Sequence, residues 1–330
     1  MSNLKKAFAI IITLAISLCA FCACSKTPAD DIDVYLITKG SDSSFWGAVK
    51  AGAGAAANEY GVTLTVLEPS DESAEAEQIV FFEKALKDLP DAVAISAIGY
   101  DSGGTFVDKL TAAGVKVVEF DSLTASSLAH ARVTIDNYAA GKKAFNAVRR
   151  GVGGKLNICA LLPNVSTGNA REREEGLNDA AREDGNAEIT VAKYIGSDIF
   201  SASAAAEEVL SARPEINAVV ALNEWATLAA GEATHNLDLS DKIYVSGFDN
   251  NALSAERLES GAVDSLVLQN PYAMGYFSVR NAYLLSVGGL KSGNSTVIDT
   301  VVATRENMYS DEIVKLLFPF SSFESDLKAD

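Results

Sequence analysis

Short apolar runs alternate with amphipathic stretches along almost the whole chain. The runs at 32–38, 62–67, 91–96, 115–119, 131–135, 155–162, 188–194, 217–222, 242–247 and 263–268 read as strands, each short and bounded by polar or glycine-containing segments. The stretches 44–60, 74–88, 103–113, 137–151, 169–184, 200–212, 224–235, 251–260 and 271–288 predict helices. In the first of these, Phe45, Val49, Gly52/Ala53, Ala56 and Tyr60 form a core-facing stripe. Gly61, Gly114 and Gly185 sit where C′ glycines end helices, and Asp136 fits an N-cap. Strands alternating with helices at this spacing predict an α/β fold with mainly parallel, doubly wound sheets. Loops after strand C-termini in such sheets face the ligand crevice. The polar loop Lys39 to Ser44, followed by Phe45 and Trp46, therefore offers aromatic surface to a ligand. The order of elements runs twice: 33–60 has a counterpart at 156–184, and 115–121 has one at 242–249. Two similar lobes with a cleft between them follow.

Composition narrows the partners. A chain of 330 residues, 48% apolar, is long enough for two cored domains. A formal charge of −17 argues against nucleic acid and against binding to an anionic membrane surface, because both reward Lys/Arg patches. The first residues are not part of the fold. Lys5 and Lys6 make a charged start, and Ala7 to Leu18 is an apolar run of 12 residues, short for a membrane span. Ala23-Cys24 resembles the end of a bacterial lipoprotein signal, which places a signal peptide at 1–24 and a lipid anchor on Cys24. Residues 25–31, polar and with Pro28, read as a tether. Beyond the leader the one remaining cysteine, Cys159 in L-N-I-C-A-L-L, reads as a buried small hydrophobe, so no disulfide framework is expected.

Enzyme classes fit poorly. Gly52-x-Gly54-x-x-Ala57 imitates a dinucleotide fingerprint, but its first glycine lies inside a predicted helix and not in the turn after a strand. There is no G-x-S-x-G, and His130 and His235 lack metal-ligand spacing. G-V-G-G-K at 151–155 lacks P-loop spacing and leads into a strand. No cofactor or metal is expected.

Seven motifs occur in order: S-S-F-W (43–46), E-F-D (119–121), I-D-N-Y-A-A-G (135–141), G-N-A-R-E-R-E-E-G (168–176), A-L-N-E (221–224), S-G-F-D (246–249) and Q-N-P-Y-A-M-G (269–275). Together they resemble the periplasmic sugar-binding proteins of ABC transporters, the ribose/galactose type, over roughly residues 32–305. These are type I periplasmic binding proteins with the same fold as LacI-like repressor cores. An exported N-terminus stands here where a repressor has its basic DNA-binding helices. By resemblance, Ser43 takes the place of an Asn of ribose binders, and Phe45 and Trp46 match two pocket aromatics. Asp121 matches the acidic sugar ligand, although Ser122 replaces the Arg that follows it. Arg171, Asn223, Asp249 and Gln269 match polar ligands of the sugar, and Phe200 falls near an aromatic position of the second lobe.

The residue chemistry agrees with that assignment. Asp121 and Asp249 can each accept from two hydroxyls, Asn223 and Gln269 donate and accept, and Arg171 offers a planar donor fork. Phe45, Trp46 and Trp225 can cover C–H faces. Two acids against one cation suit a small neutral sugar or polyol. Structural alternatives remain for several of these residues. Phe45 lies on the core stripe, and Trp225 fits pocket or core. Asp249 and Asn223 fit helix caps, Asp121 fits a turn, and Arg171 shares R-E-R-E-E with surface charges, among which Arg173 is counted. Trp46 lies about 100° around the helix from Phe45, off the core stripe.

The expected protein is a monomeric, lipid-anchored, extracytoplasmic solute-binding protein that hands its sugar to an ABC transporter permease. The competing expectation is a co-receptor for chemotaxis or a sensor kinase, or a binder of a furanosyl autoinducer. Lobe one is expected to comprise 32–135 with 270–297, and lobe two 136–269 with 298–330, the last part a short helix from Asp311 to Leu317 and a polar tail.

Overall fold

The computed structural model describes residues 32–41, 43–163, 167–196 and 198–318. The leader, Cys24 and the tether therefore lie outside the described residues. The first sheet has the order β11-β5-β4-β3-β1-β2, with β1 Asp33–Ile37, β2 Thr63–Leu67, β3 Ala92–Ile95, β4 Lys116–Phe120, β5 Ala131–Thr134 and β11 Asn294–Val297. All of its pairings are parallel. The second has the order β12-β10-β9-β8-β6-β7, with β6 Leu156–Leu162, β7 Ala187–Tyr194, β8 Ala218–Ala221, β9 Tyr244–Phe248, β10 Ser265–Leu268 and β12 Val301–Thr304. Only β12 in this sheet runs antiparallel, to β10. Strand for strand the two orders are the same, which is the repeat seen in the chain. The ten strands expected from apolar runs are β1 to β10. The two that periodicity does not reveal, β11 and β12, are four-residue edge strands with mostly exposed or half-exposed side chains.

The helices are α1 Ser44–Tyr60, α2 Glu75–Asp88, α3 Tyr100–Ala112, α4 Asn137–Gly151, α5 Gly168–Asp184, α6 Ile199–Ala212, α7 Glu224–Asn236, α8 Ala252–Ser260, α9 Pro271–Ser286 and α10 Asp311–Leu317. Among the described residues no helix is long and apolar enough to cross a membrane. Gly61 ends α1 with φ 68° and Gly185 ends α5 with φ 71°, both in the left-handed region that glycine enters without penalty. Asp136 caps α4 by accepting from the Ala139 N–H at 2.8 Å. The chain passes from the first sheet to the second between β5 and α4, and returns between β10 and α9, which packs on α1. It crosses again between β11 and β12.

Each sheet carries its own core. Tyr35, Ile37, Phe82, Val93, Ile95, Val107 and Leu110 cluster around the first. Leu161, Val219, Val245, Leu258 and Leu266 do so around the second, where Ile313 and Leu317 of α10 join them. Cys159 lies in that second core, 0% exposed, and burial pushes its thiol up to about 12. It is the inert hydrophobe expected.

One helix pair in each lobe is drawn together by reciprocal glycines. A Cβ on Gly52 would stand 1.9 Å from the Tyr272 carbonyl oxygen, and one on Gly275 would stand 1.9 Å from that of Val49. This is the packing role for the small residues of α1, in place of a dinucleotide loop. In the second lobe, a Cβ on Gly141 would meet the Arg173 carbonyl oxygen at 2.1 Å, and one on Gly176 that of Tyr138 at 2.0 Å. Backbone atoms cannot rotate away. Gly→Ala inside a helix ordinarily gains roughly 0.5–1 kcal/mol. Here Gly52→Ala and Gly275→Ala are expected to reverse that sign and cost about 1–3 kcal/mol through overpacking, measured by urea unfolding. Gly54, whose Cβ would meet nothing within 4 Å, is the control expected to be neutral or stabilising as Ala.

Candidate functional site

The C-terminal ends of the strands in both sheets converge on one cavity between the lobes. The cavity there is small, about 30 Å3. Bonds bridge it from one lobe to the other. Asn169 Nδ2 donates to Asp121 Oδ1 at 3.2 Å, and the Gly168 N–H donates to Ser122 Oγ at 3.1 Å. Ser44 Oγ lies 3.4 Å from Glu224 Oε1.

Two acids occupy matching places in the two lobes. Asp121 follows β4 with φ 53°, and Asp249 follows β9 with φ 70°. The Asp121 N–H donates to the Val133 carbonyl on β5, and the Asp249 N–H to the Val267 carbonyl on β10, both at 3.0 Å. A left-handed residue at a strand end turns the chain sharply, and Asp tolerates that conformation better than most side chains. Asp249 does not cap the helix after it; Asn251 does, accepting from the Ser254 N–H. Asp121 is well supplied with donors. Ser96 Oγ donates to its Oδ2 at 2.9 Å, and Lys39 Nζ forms an ion pair with the same oxygen at 3.0 Å, both charged side chains being almost fully buried.

Of the residues expected at the site, Ser43, Phe45, Asp121, Asn223, Trp225, Asp249 and Gln269 line the cavity. Ser43 and Asn223 do so while also capping α1 and α7. Phe45 both lines the cavity and packs edge-on against Trp46 at 5.0 Å between ring centroids.

Three expectations are corrected. Arg171 is exposed on α5, its guanidinium 4.7 Å from the Tyr100 ring centroid. Arg173, read from the sequence as a surface charge, is 2% exposed and lines the cavity. Its Nε donates to Asn137 Oδ1 and its Nη1 to the Leu222 carbonyl, both at 2.9 Å, and its guanidinium stacks over Phe248. Two positions along a helix turn a side chain by roughly 200°, so the two arginines point to opposite sides. Trp46 is 0% exposed and does not line the cavity; it packs against Phe45 and Phe120 and donates from Nε1 to Glu72 Oε1 at 2.8 Å. It is a core residue that orients an acid. Phe200 is 84% exposed and lies away from the cavity, on a separate groove between α6, α7 and α8.

Residues not expected at the site from the sequence share the lining. Lys39, Glu72, Asn169, Arg173 and Glu224 all face the cavity. The expected balance of two acids against one cation becomes four acids (Glu72, Asp121, Glu224, Asp249) against two cations (Lys39, Arg173). Such crowding raises the cost of ionisation. Burial, then the neighbouring Asp249, push Glu224 up to about 8, while its bond from Asn251 opposes the shift. Burial also raises Asp249, against the pull of Arg173 and of the Gln269 amide. Three buried polar atoms of cavity residues have no protein partner: Arg173 Nη2, Glu224 Oε2 and Gln269 Oε1. Unpaired buried polar atoms are costly, and a polar ligand would satisfy them. Among the described residues no cluster of His, Cys, Asp and Glu could hold a metal ion.

The family model of the periplasmic binding protein domain matches residues 34–290. A ribose import binding protein of Bacillus subtilis (strain 168) is 25% identical over 292 residues, 84% of this chain and 92% of the relative. A carbohydrate transporter solute binding protein from Agrobacterium radiobacter, solved in complex with D-arabinose, superposes with a TM-score of 0.83. It is 26% identical and covers 88% of this chain and 100% of its own. An ABC transporter solute binding protein from Agrobacterium vitis with bound D-fucose has a TM-score of 0.79 at 26% identity, over 86% of this chain and 99% of its own.

The raised Glu224 has a thermodynamic consequence. Its proton is held more tightly in the folded state than in the unfolded one. The stability tied to that proton is fully present below the unfolded value near 4.5 and is lost as pH rises through about 8. Glu224→Gln, which keeps the shape without the titration, is therefore expected to gain Tm relative to the unsubstituted protein as pH rises from 5 to 8.5. Differential scanning calorimetry in a pH series measures this, and a pH-independent difference would contradict it.

Proposed function

The chain belongs to the periplasmic binding protein domain family, and on that premise we propose that it captures a small sugar or polyol between its lobes and delivers it to an ABC transporter permease. Such a protein binds and releases its ligand without making or breaking a bond. The observation that carries the reading is the set of unpartnered buried atoms on Arg173, Glu224 and Gln269 around one cleft cavity. They belong to residues from α5, α7 and the end of β10, so a ligand that satisfies them ties together several elements of lobe two. Asp121, Ser43 and Phe45 meet it from lobe one. Hydroxyl-rich ligands match such a lining, with polar groups for each hydroxyl and Phe45 and Trp225 for the C–H faces.

Binding is by hinge closure. The three passages between the sheets, after β5, β10 and β11, support lobe limits of 32–135 with 270–297 and 136–269 with 298–330. Ligand enters with the lobes apart and is enclosed as the contacts of Asn169 with Asp121 and of Gly168 with Ser122 form. The closed arrangement, which aligns the outer faces of the lobes, is the one a permease reads. Import is supported by the relatives' own description as import and transporter binding proteins. The anchor is a lipid on Cys24, which holds a monomer at the outer face of the cell membrane. Its support is the leader: Lys5 and Lys6, the apolar run, and Ala23 before the cysteine.

Thermal-shift screening of the mature protein against pentoses, hexoses, inositols, nucleosides and amino acids tests the ligand class. At 100 times Kd a true ligand adds about 2.7 kcal/mol. Stabilisation by nucleosides or acidic amino acids alone would refute a sugar site. With a ligand in hand, Arg173→Ala is expected to abolish the shift and Arg171→Ala to retain it, with circular dichroism confirming that both fold. For the anchor, Cys24→Ser is expected to move the protein from the membrane fraction to the soluble one when expressed with its leader.

A further inference from the structure

The lining of the cleft is richer in acceptors than a set of hydroxyls needs. Lys39 and Asp121 neutralise each other at 3.0 Å, and Asp121 also accepts from Ser96 and Asn169. That carboxylate is largely spent on the protein. What faces the remaining space is Arg173 against Glu72, Glu224 and Asp249. Arg173 is itself committed, through Nε to Asn137 and Nη1 to the Leu222 carbonyl, and only Nη2 is left to donate. On the acceptor side Glu224 Oε2 and Gln269 Oε1 are buried without a partner; these residues are 8% and 1% exposed. Glu224 Oε1 is fixed by Asn251 Nδ2 at 2.7 Å, so the carboxyl group cannot turn its free oxygen elsewhere at no cost. Gln269 is fixed the same way, its amide donating to Asp249 Oδ1.

A hydroxyl carries one donor, whereas an ammonium carries three and no acceptor. We propose that the cleft is built for a sugar bearing a protonated amino group, which Glu224, Gln269 and Asp249 receive while Arg173 Nη2 holds a hydroxyl or the ring oxygen. This rests on the sugar-binding reading and specifies the substrate class within it. The groups that face Glu224 are Glu72 from the loop after β2, Asp249 after β9, Asn251 capping α8, and Ser43 and Ser44 at the start of α1, and none of them is a cation. The ligand's charge takes the place of the missing one. At neutral pH the Glu224 carboxyl loses its proton to solvent as the ammonium arrives, and the ion pair so formed is satisfied on both sides.

Isothermal titration calorimetry at pH 7 with D-glucosamine, D-galactosamine and D-mannosamine tests this, each amine compared with its parent hexose and its N-acetyl form. At least one amine is expected to bind ten-fold or more tightly than both of its partners. Its apparent enthalpy is expected to differ between phosphate and Tris buffers, which reports the released proton. Glu224→Gln is expected to remove both the preference and the buffer dependence. Parent hexoses that bind as tightly as the amines overturn this inference and leave the sugar-binding reading standing, as does a protein that binds only neutral sugars from the wider panel. Failure of every sugar, amine or neutral, overturns both.

Discussion

Burying five ionisable side chains, Lys39, Asp121, Arg173, Glu224 and Asp249, around one narrow cleft is the constraint on which the rest of this structure depends. A carboxylate removed from water must be paired, hydrogen-bonded or protonated. All three solutions are present. Asp121 is paired with Lys39, Glu72 accepts from the Trp46 indole, and Glu224 is held as an acid by burial and its neighbours. These solutions differ in what they leave for a ligand. The paired and bonded groups build the walls, and the group that keeps its proton is the one with an oxygen to spare.

The supports reach well behind the cavity. Arg173 faces the cleft because Gly141 lets α4 approach α5 until a Cβ would touch the Arg173 carbonyl, and because Asn137 at the start of α4 takes its Nε. The first lobe uses the same device between α1 and α9, with Gly52 and Gly275. The pairs are equivalent in the two halves, as are the left-handed Asp121 and Asp249 and the bonds their backbones make to the neighbouring strand. A repeated architecture thus presents one acid per lobe across a shared space.

Much of this was legible in the chain. Strands β1 to β10 and the nine helices before β11 follow from period and from caps such as Asp136 and Gly61, since those signals are local. Strands β11 and β12 were not legible, because an edge strand of four half-exposed residues has no apolar pattern of its own; it exists through β5 and β10. Phe200 was misplaced because a match of motifs places an aromatic in a stretch of chain but does not give the rotation of its helix. Trp46 was misread because its position off the Phe45 stripe says nothing of Phe120, which comes from β4 and covers it.

The amino-acid sequence by itself determined two α/β lobes and the strand ends that carry polar and aromatic residues; the resemblance of its motifs pointed to half of the residues that line the cavity, among them Ser43 and Gln269. Those properties depend on spacing along one chain. Tertiary structure alone decided which of Arg171 and Arg173 faces the cavity, and that Lys39 pairs with Asp121. It also decided that Glu224 sits among acids. Each of those outcomes is set by polar and charged groups brought together from segments up to 180 residues apart, as Ser44 and Glu224 are. The energy of a buried charge depends on everything within a few ångströms of it, and sequence distance carries no record of that neighbourhood.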